Sequence, residues 1–448
     1  MLDRKITQSG FLHDLLGSLA GRGRRLFDFL PVGPVSDEDL EALCEALLSS
    51  RGEASGAALA KGILDAYAAR DGEGRARFFA MLAERFGINA DSAVAAAEAY
   101  RATPSAATMQ RLQAEAEPRR QELLRRLNLP PGGTAALVAM RADLLARLAN
   151  EPSLREVDAD FLHLFQSWFN PGFLEVRRID WNTPAAVLDK IIRHEAVHQI
   201  SDWDDLRRRI DPSDRRLYAF FHPRLASEPL IFLEVALTVD TPSRIDAILA
   251  ADRDVLPPDR ARTAVFYSIS NTQAGLRGVS FGGFLIKQVL EDLRGELPGL
   301  KTFVTLSPLP GFARWLGEAR AGNLIDAEAA RVLSAIDGPE WWLDPAAEKR
   351  LKPVLCRLAV AYLTTARSPS GAPRDPVARF HLGNGASLER VTWPGDFSPV
   401  GIAGGLGVMA NYRYRVEDIE ENHEAFANAG TIAVSQAVSK LMSPRATP

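Results

Sequence analysis

Between Ala261 and Phe312 the chain reads, without interruption, as a strand, a loop, a helix and a second strand. Thr263–Ser270 is β-branched and aromatic, 271–280 is polar and glycine-punctuated, 281–294 is amphipathic with a helical period, and 301–306 is again strand-like and ends at Ser307-Pro308. Such a unit has its chemistry at one end. Gly275, Gly278, Gly282 and Gly283 let the backbone come close to a ligand. The helix start that follows offers free N–H groups and a positive dipole end, which together suit a phosphate. The glycine spacing matches neither a Walker loop nor the dinucleotide fingerprint.

At 448 residues the chain exceeds what one hydrophobic core serves, so two domains are expected. Up to about Leu164 it is a string of helix-period segments. Ser36 caps the first, Ala54–Arg70 and Gly74–Phe86 follow, with Gly87 closing the latter, and Ala90–Tyr100, Ala106–Leu127 and Thr134–Leu148 continue the pattern. An all-α helical bundle over 1–165 is the expectation, serving as scaffold or subunit contact. From 166 to 448 short β-type runs (Gly172–Ile179, Leu217–His222, Leu230–Val239, Ala264–Ser270, Thr302–Leu306, Ser387–Trp393) mix with helices at Ala185–His198, 281–294, Phe312–Ala319, Ala327–Ala335, Lys352–Thr365 and Thr431–Leu441. Strands that follow one another without a helix between them favour an α+β domain with a mixed sheet over a doubly wound parallel one.

Composition removes several function classes. With 53 basic against 57 acidic residues there is no basic excess for nucleic acid. No apolar run is long enough to span a membrane, and the first 25 residues lack the apolar core and cleavage site of a secretory signal. The last six, SPRATP, carry no peroxisomal address. Cys44 and Cys356 lie far apart in helical segments and read as inert buried thiols, so a reducing cytoplasm is expected.

Two familiar patterns lose weight on inspection. His194-Glu195-Ala196-Val197-His198 satisfies H-E-x-x-H on an expected helix, which would put both imidazoles on one face as in zinc peptidases. No third ligand is evident beyond the distant His222, and histidines that cap or pack a helix end are the plainer reading, so no metal is expected. Gly278-Val279-Ser280-Phe281-Gly282 matches the nucleophile elbow, but that motif needs its serine directly after a strand. Here a long loop intervenes, and Ser280 reads as a cap or a ligand contact. Ser307 stands better, at the carboxyl end of a buried-type strand and before a proline. His381, in the loop-like Arg379-Phe-His-Leu-Gly-Asn-Gly-Ala386, is its candidate partner, although a lone histidine is commonly structural. Finally, the glycines of 401–415 (GIAGGLGVMANYRYR) permit close packing, and Asn411, Tyr412, Arg413 and Tyr414 concentrate polar groups at its end; the plainer alternative is a tight glycine crossover with surface tyrosines.

Taken together, SEPLIFLEVALT (227–238), the unit of FYSISNTQAGLRGV and TLSPLPGF, HLGNGA (381–386) and MANYRY (409–414) resemble the malonyl-CoA decarboxylase family in order over about 185–440. The resemblance implies a helical domain used in homo-oligomerisation and a catalytic domain related to the GNAT-type N-acetyltransferase fold. In that fold a strand, loop and helix hold the pyrophosphate of coenzyme A while the pantetheine runs between two splayed strands. It implies Ser307, His381 and Tyr414 as catalytic residues, with Asn411 orienting. Ser268 and the loop residues Gln273, Gly275, Leu276, Arg277, Gly278, Ser280 and Gly282, with Asn411, are the expected substrate contacts. The chain departs from the family in carrying Ser280 where a glutamate is expected; either no carboxylate is needed there, or Glu228 or Glu234 supplies it.

The implied chemistry is coherent. Loss of carbon dioxide from a malonyl thioester leaves an enolate, so the thioester carbonyl is itself the electron sink and no cofactor is required. The protein must orient the carboxylate, stabilise the enolate with preorganised donors and protonate the α-carbon. A serine can bind the carboxylate and a histidine can donate the proton. The rival readings are an acyl-CoA-dependent acyltransferase, a zinc hydrolase using His194 and His198, and a non-catalytic acyl-CoA sensor.

Overall fold

In the computed structural model, residues 35–49, 53–279, 281, 284–338 and 340–442 are described. Ser280 and Gly282, both expected substrate contacts, lie outside the described residues, as do Gly283 and both chain ends. The described chain separates into two compact units. One runs to Phe173 and includes Pro223–Ala226 and most of 273–280; the other holds the remainder.

The first unit is helical. Its helices are Asp37–Leu48, Glu53–Ala68, Gly72–Arg85, Ala90–Ala102, Ala106–Ala116, Arg119–Leu127, Gly133–Arg147 and Arg155–Trp168. Ser36 caps the first of them as expected, accepting the Asp39 N–H at 3.1 Å. One expected helix is broken: 106–127 is two helices, not one. Pro118 removes a backbone donor and forces its predecessor out of the helical region, and Glu117 and Pro118 are indeed extended, with ψ 128° and 132°. Leu43, Ile63, Phe78, Phe79, Leu123, Leu137, Phe161 and Phe165 are among the residues that form the buried interior.

The second unit is built on an eight-stranded mixed sheet: β1 (Glu175–Ile179), β2 (Arg215–Phe221), β3 (Pro229–Thr238), β4 (Thr263–Asn271), β5 (Thr302–Thr305), β6 (Ser307–Pro308), β7 (Ser387–Thr392) and β8 (Met409–Tyr414). The order is β1-β2-β3-β4-β5-β8-β6, with β7 also on β8. All pairs are antiparallel except β4 with β5. The α+β expectation with a mixed sheet therefore holds. Ile191, Leu206, Leu217, Ala219 and Phe232 belong to one apolar core, and Val265, Tyr267, Val304, Leu306 and Met409 to another.

Two features of this sheet create the site. β4 and β5 pair only from Thr263↔Thr302 to Phe266↔Thr305, whereas β4 stays paired with β3 as far as Asn271. Beyond Phe266 the two strands have separated, and the β5-facing groups of β4 are left without that partner. The second feature is an interruption between β5 and β6. Phe303 and Val304 pair with Tyr414 and Arg413, then pairing with β8 resumes at Ser307↔Ala410. Side chains fill the gap: Thr305 Oγ1 accepts the Tyr412 N–H at 3.0 Å, and Asn411 Nδ2 donates to the Thr305 carbonyl at 2.6 Å. The Leu306 N–H turns to the Phe266 carbonyl at 2.9 Å.

β8 corrects the reading of 401–415 as a crossover with surface tyrosines. Tyr412 and Tyr414 are buried: their strand is paired on both edges, by β5 and β6 and by β7, and His381 packs on the two rings. The last expected helix is shorter than 431–441, starting only at Gln436, because 434 bridges to Leu388. Among the described residues no helix is long and apolar enough to cross a membrane.

Candidate active site

Where β4 and β5 part, a cavity of about 290 Å³ opens within the second unit. Phe266, Tyr267, Ser268, Ile269 and Asn271 of β4, Ser307 and Pro308 of β6, Val197, and Pro376, Val377, Phe380 and His381 line it. His381 stands not in a loop, as its glycine-flanked sequence suggested, but in the last turn of the helix Pro376–Gly383. That helix is started by Asp375, whose carboxylate accepts the N–H groups of Val377 and Ala378, and by Pro376 in its first turn. The two residues singled out from sequence, 74 positions apart, meet here: Ser307 Oγ lies 3.3 Å from His381 Nε2.

The imidazole is held on three sides. Its Nδ1 is 2.8 Å from the Tyr414 hydroxyl, its face stacks on Tyr412 with centroids 4.8 Å apart, and its Nε2 faces Ser307. Ser307 Oγ in turn donates to Thr305 Oγ1 at 2.8 Å. Because that proton is committed to Thr305, the 3.3 Å contact needs its proton on Nε2, which leaves Nδ1 to accept from Tyr414. The relay thus selects the tautomer that presents Nε2–H to the cavity. His381 is 4% exposed, and burial alone pushes its pKa down to about 3, so the ring is neutral. Burial likewise raises the Tyr414 phenol, which remains a donor.

Ser268 is buried on β4 and lines the cavity; its Oγ donates to both oxygens of Glu195, at 2.7 and 2.8 Å. Glu195 also takes the hydroxyl of Ser270 at 3.1 Å and the N–H groups of Val197 and His198 at 2.9 and 2.8 Å. This overturns the expected helix over 185–198. The helix ends at His194, and Glu195, extended with ψ 112°, uses its side chain to turn the following chain. His194 and His198 therefore share no helical face. His194 is exposed, while His198 is buried with its pKa lowered by desolvation. Among the described residues no group of three or more His, Cys, Asp or Glu side chains could hold a metal.

Other expected contacts fall elsewhere. Asn411 is fully buried, takes the Arg390 Nε–H at 2.9 Å and holds Thr305, so its side chain orients strands and does not line the cavity. Gln273, Gly275, Leu276, Arg277 and Gly278 lie in the loop that follows β4, which belongs to the first unit. Of the glutamates offered in place of one near Ser280, Glu228 pairs with Lys190 at 2.5 Å. Glu234 is fully buried at 3.3 Å from Arg209, with burial pushing its pKa up to about 8. Sequence reasoning missed Glu195, Thr305 and Tyr412. One signal was present, the alternation Ser268-x-Ser270 on β4 and Thr305-x-Ser307 across the break between β5 and β6, which spaces two hydroxyls two residues apart in each place.

Residues 172–448 match the Malonyl-CoA decarboxylase C-terminal domain. The chain belongs to the malonyl-CoA decarboxylase family. Residues 86–169 match the N-terminal domain of that family. The mitochondrial malonyl-CoA decarboxylase of Anser anser anser is 37% identical over 353 residues, covering 73% of this chain and 70% of its own length. That of Mus musculus is 34% identical over 403 residues, 82% of each. Among solved structures, malonyl-CoA decarboxylase from Rhodopseudomonas palustris superposes with a TM-score of 0.87 at 56% identity, over 91% of this chain and all of that one. The Agrobacterium vitis malonyl-CoA decarboxylase gives 0.86 at 53%, with the same coverage.

Proposed function

We propose that this chain converts malonyl-CoA to acetyl-CoA and carbon dioxide with Ser307, His381 and Tyr414 as the catalytic group. The observation that carries the reading is the Tyr414–His381–Ser307 relay, at 2.8 and 3.3 Å, whose Ser307 and His381 line the cavity between separated strands. The malonyl carboxylate enters beside Ser307, whose hydroxyl turns from Thr305 to donate to it. Cleavage of the bond between the α-carbon and the carboxylate sends the electron pair into the thioester as an enolate, and carbon dioxide leaves. His381 Nε2–H then protonates the α-carbon, and solvent makes good the one proton consumed per turnover. Among the groups able to meet the enolate oxygen are the backbone N–H groups on the unpaired stretch of β4 beyond Phe266.

The neutral imidazole fits this scheme through the relay. Burial keeps the ring neutral, and as Nε2–H goes to the α-carbon the Tyr414 hydroxyl passes its own proton to Nδ1, so that no imidazolate is left. Because the thioester carbonyl is the electron sink, no cofactor is invoked. Ser268, held by Glu195, and Gln273, Gly275, Leu276, Arg277, Gly278, Ser280 and Gly282 are the proposed substrate contacts, the loop taking the phosphates of coenzyme A. The two buried, unpaired thiols support a cytoplasmic setting, and the exposed Ile88, Val94 and Leu129 of the helical unit support homo-oligomerisation through it.

The test is carbon dioxide release from malonyl-CoA by His381→Asn and Ser307→Ala proteins. Losses of roughly 10²- to 10⁴-fold in kcat are expected of His381→Asn. Near wild-type rates in both, with intact folding, overturn the assignment.

A further inference from the structure

Arg141 is a buried cation of the helix Gly133–Arg147, 1% exposed. Its Nε donates to Asp158 Oδ1 at 2.8 Å, and its Nη1 donates to two backbone carbonyls, those of Gly275 and Arg277, each at 2.8 Å. A buried guanidinium with one carboxylate still needs partners for its remaining donors. The loop after β4 supplies them. Loop and helix also meet without clearance: a Cβ on Gly275 would collide with the Val138 carbonyl oxygen of the same helix, so only glycine allows this approach.

The consequence is directional. A trans peptide unit points its C=O and N–H in opposite directions. With the Arg277 carbonyl turned onto Arg141, the Gly278 N–H of the same unit faces away from the helix. Gly278 is exposed and sits at φ +83°, and among the described residues nothing accepts its N–H. A cation bonded to the carbonyl side also polarises the unit, making that N–H a better donor to an anion.

We propose that Arg141 is a positioning residue for substrate binding: it pins the Arg277 carbonyl so that the Gly278 N–H of the same peptide unit faces the phosphates of coenzyme A. This rests on the reading of that loop as the phosphate site. It gives the helical unit a part in substrate affinity besides any part in assembly. Arg141 itself touches no substrate.

The test compares malonyl-CoA with malonyl-pantetheine, which lacks the nucleotide and its phosphates, in wild type, Arg141→Ala, Arg141→Lys and Asp158→Asn. Wild type is expected to show a higher kcat/KM with malonyl-CoA, and Arg141→Ala to reduce that preference roughly 10- to 100-fold, through KM. Arg141→Lys, which cannot bridge two carbonyls in the same way, and Asp158→Asn, which loosens the guanidinium, give smaller reductions in the same direction. They carry the test if Arg141→Ala fails to fold. Equal losses on both substrates, or an unchanged preference in the folded variants, overturn the role of Arg141 while leaving the loop reading in place. A wild-type protein that does not distinguish the two substrates overturns the loop reading itself, and the proposal with it.

Discussion

Removing the Tyr414 hydroxyl tests whether His381 is oriented for proton delivery, because that hydroxyl touches the imidazole and does not line the cavity. In Tyr414→Phe the buried ring keeps its packing, but Nδ1 loses the donor 2.8 Å away. A hydrogen bond of this kind contributes about 1 kcal/mol net, and a buried nitrogen left bare costs roughly 1–3 kcal/mol. Stability should fall by an amount in that range, read from the midpoint of denaturant unfolding. The rate effect has a separate origin. With nothing donating to Nδ1, the ring loses its bias toward the Nε2–H tautomer, and Ser307 is free to turn its proton onto Nε2. Losing a bias of 1–3 kcal/mol lowers kcat by roughly 5- to 150-fold at little change in KM. Steady-state carbon dioxide release over a range of malonyl-CoA concentrations separates the two parameters. A folded Tyr414→Phe protein with wild-type kcat, or with only KM raised, would refute the tautomer argument.

Two further outcomes follow from the buried charges. His381 has a pKa of about 3 when folded against 6.5 ordinarily, so the unfolded chain binds the extra proton and stability is lost as pH falls from 6.5 toward 3. Glu234 has the opposite sign: its folded pKa of about 8 against 4.5 means that stability is lost as pH rises from 4.5 to 8. Each slope is roughly 1 kcal/mol per pH unit, and the two oppose each other between 4.5 and 6.5. Denaturation midpoints against pH should therefore flatten between 6.5 and 8 in Glu234→Gln and below 4.5 in His381→Asn; unaltered slopes count against these protonation states. Glu195→Gln replaces a carboxylate that accepts from four donors, the hydroxyls of Ser268 and Ser270 and the N–H groups of Val197 and His198. With charge-assisted bonds contributing about 1.5–3 kcal/mol each, a stability loss of about 3 kcal/mol is expected, with a fall in kcat/KM as Ser268 is released. An unchanged unfolding midpoint would show that the cluster is not held this way.

Much of the sheet was legible because its strands announce themselves locally. β2 and β3 are almost wholly buried runs rich in aromatic and aliphatic residues, and such runs differ in composition from everything around them. β8 gives no such signal. Its Asn411 and Arg413 are poor strand formers and a glycine-rich segment precedes it, so what makes it a strand is pairing with β5, β6 and β7, contacts between residues up to 111 positions apart. The break at Pro118 shows the converse failure. Apolar periodicity runs straight through 106–127, and only the restriction that proline places on its own φ and on its predecessor separates the two helices.

The site was legible as residue types but not as a network. Ser307 could be chosen for its place at a strand end, yet nothing local announces that Thr305 occupies its proton or that Tyr412 stacks under His381, since both depend on the interrupted pairing of β5 and β6 with β8. Glu195 was hidden by a better-known pattern: with H-E-x-x-H set aside as a metal motif, its glutamate went with it. The chain at that point does something a zinc helix cannot. It leaves the helix at His194, spends one face of the Glu195 carboxylate on its own backbone at Val197 and His198, and turns the rest onto the hydroxyls of β4. The family resemblance places a carboxylate near Ser280, with Glu228 and Glu234 as substitutes. Glu228 is tied to a lysine and Glu234 to a buried arginine, whereas Glu195 bonds a cavity-lining hydroxyl through both its oxygens. Of the three, Glu195 is the one whose removal should reach the substrate through Ser268, so the Glu195→Gln kinetics bear on the missing glutamate as well as on the fold.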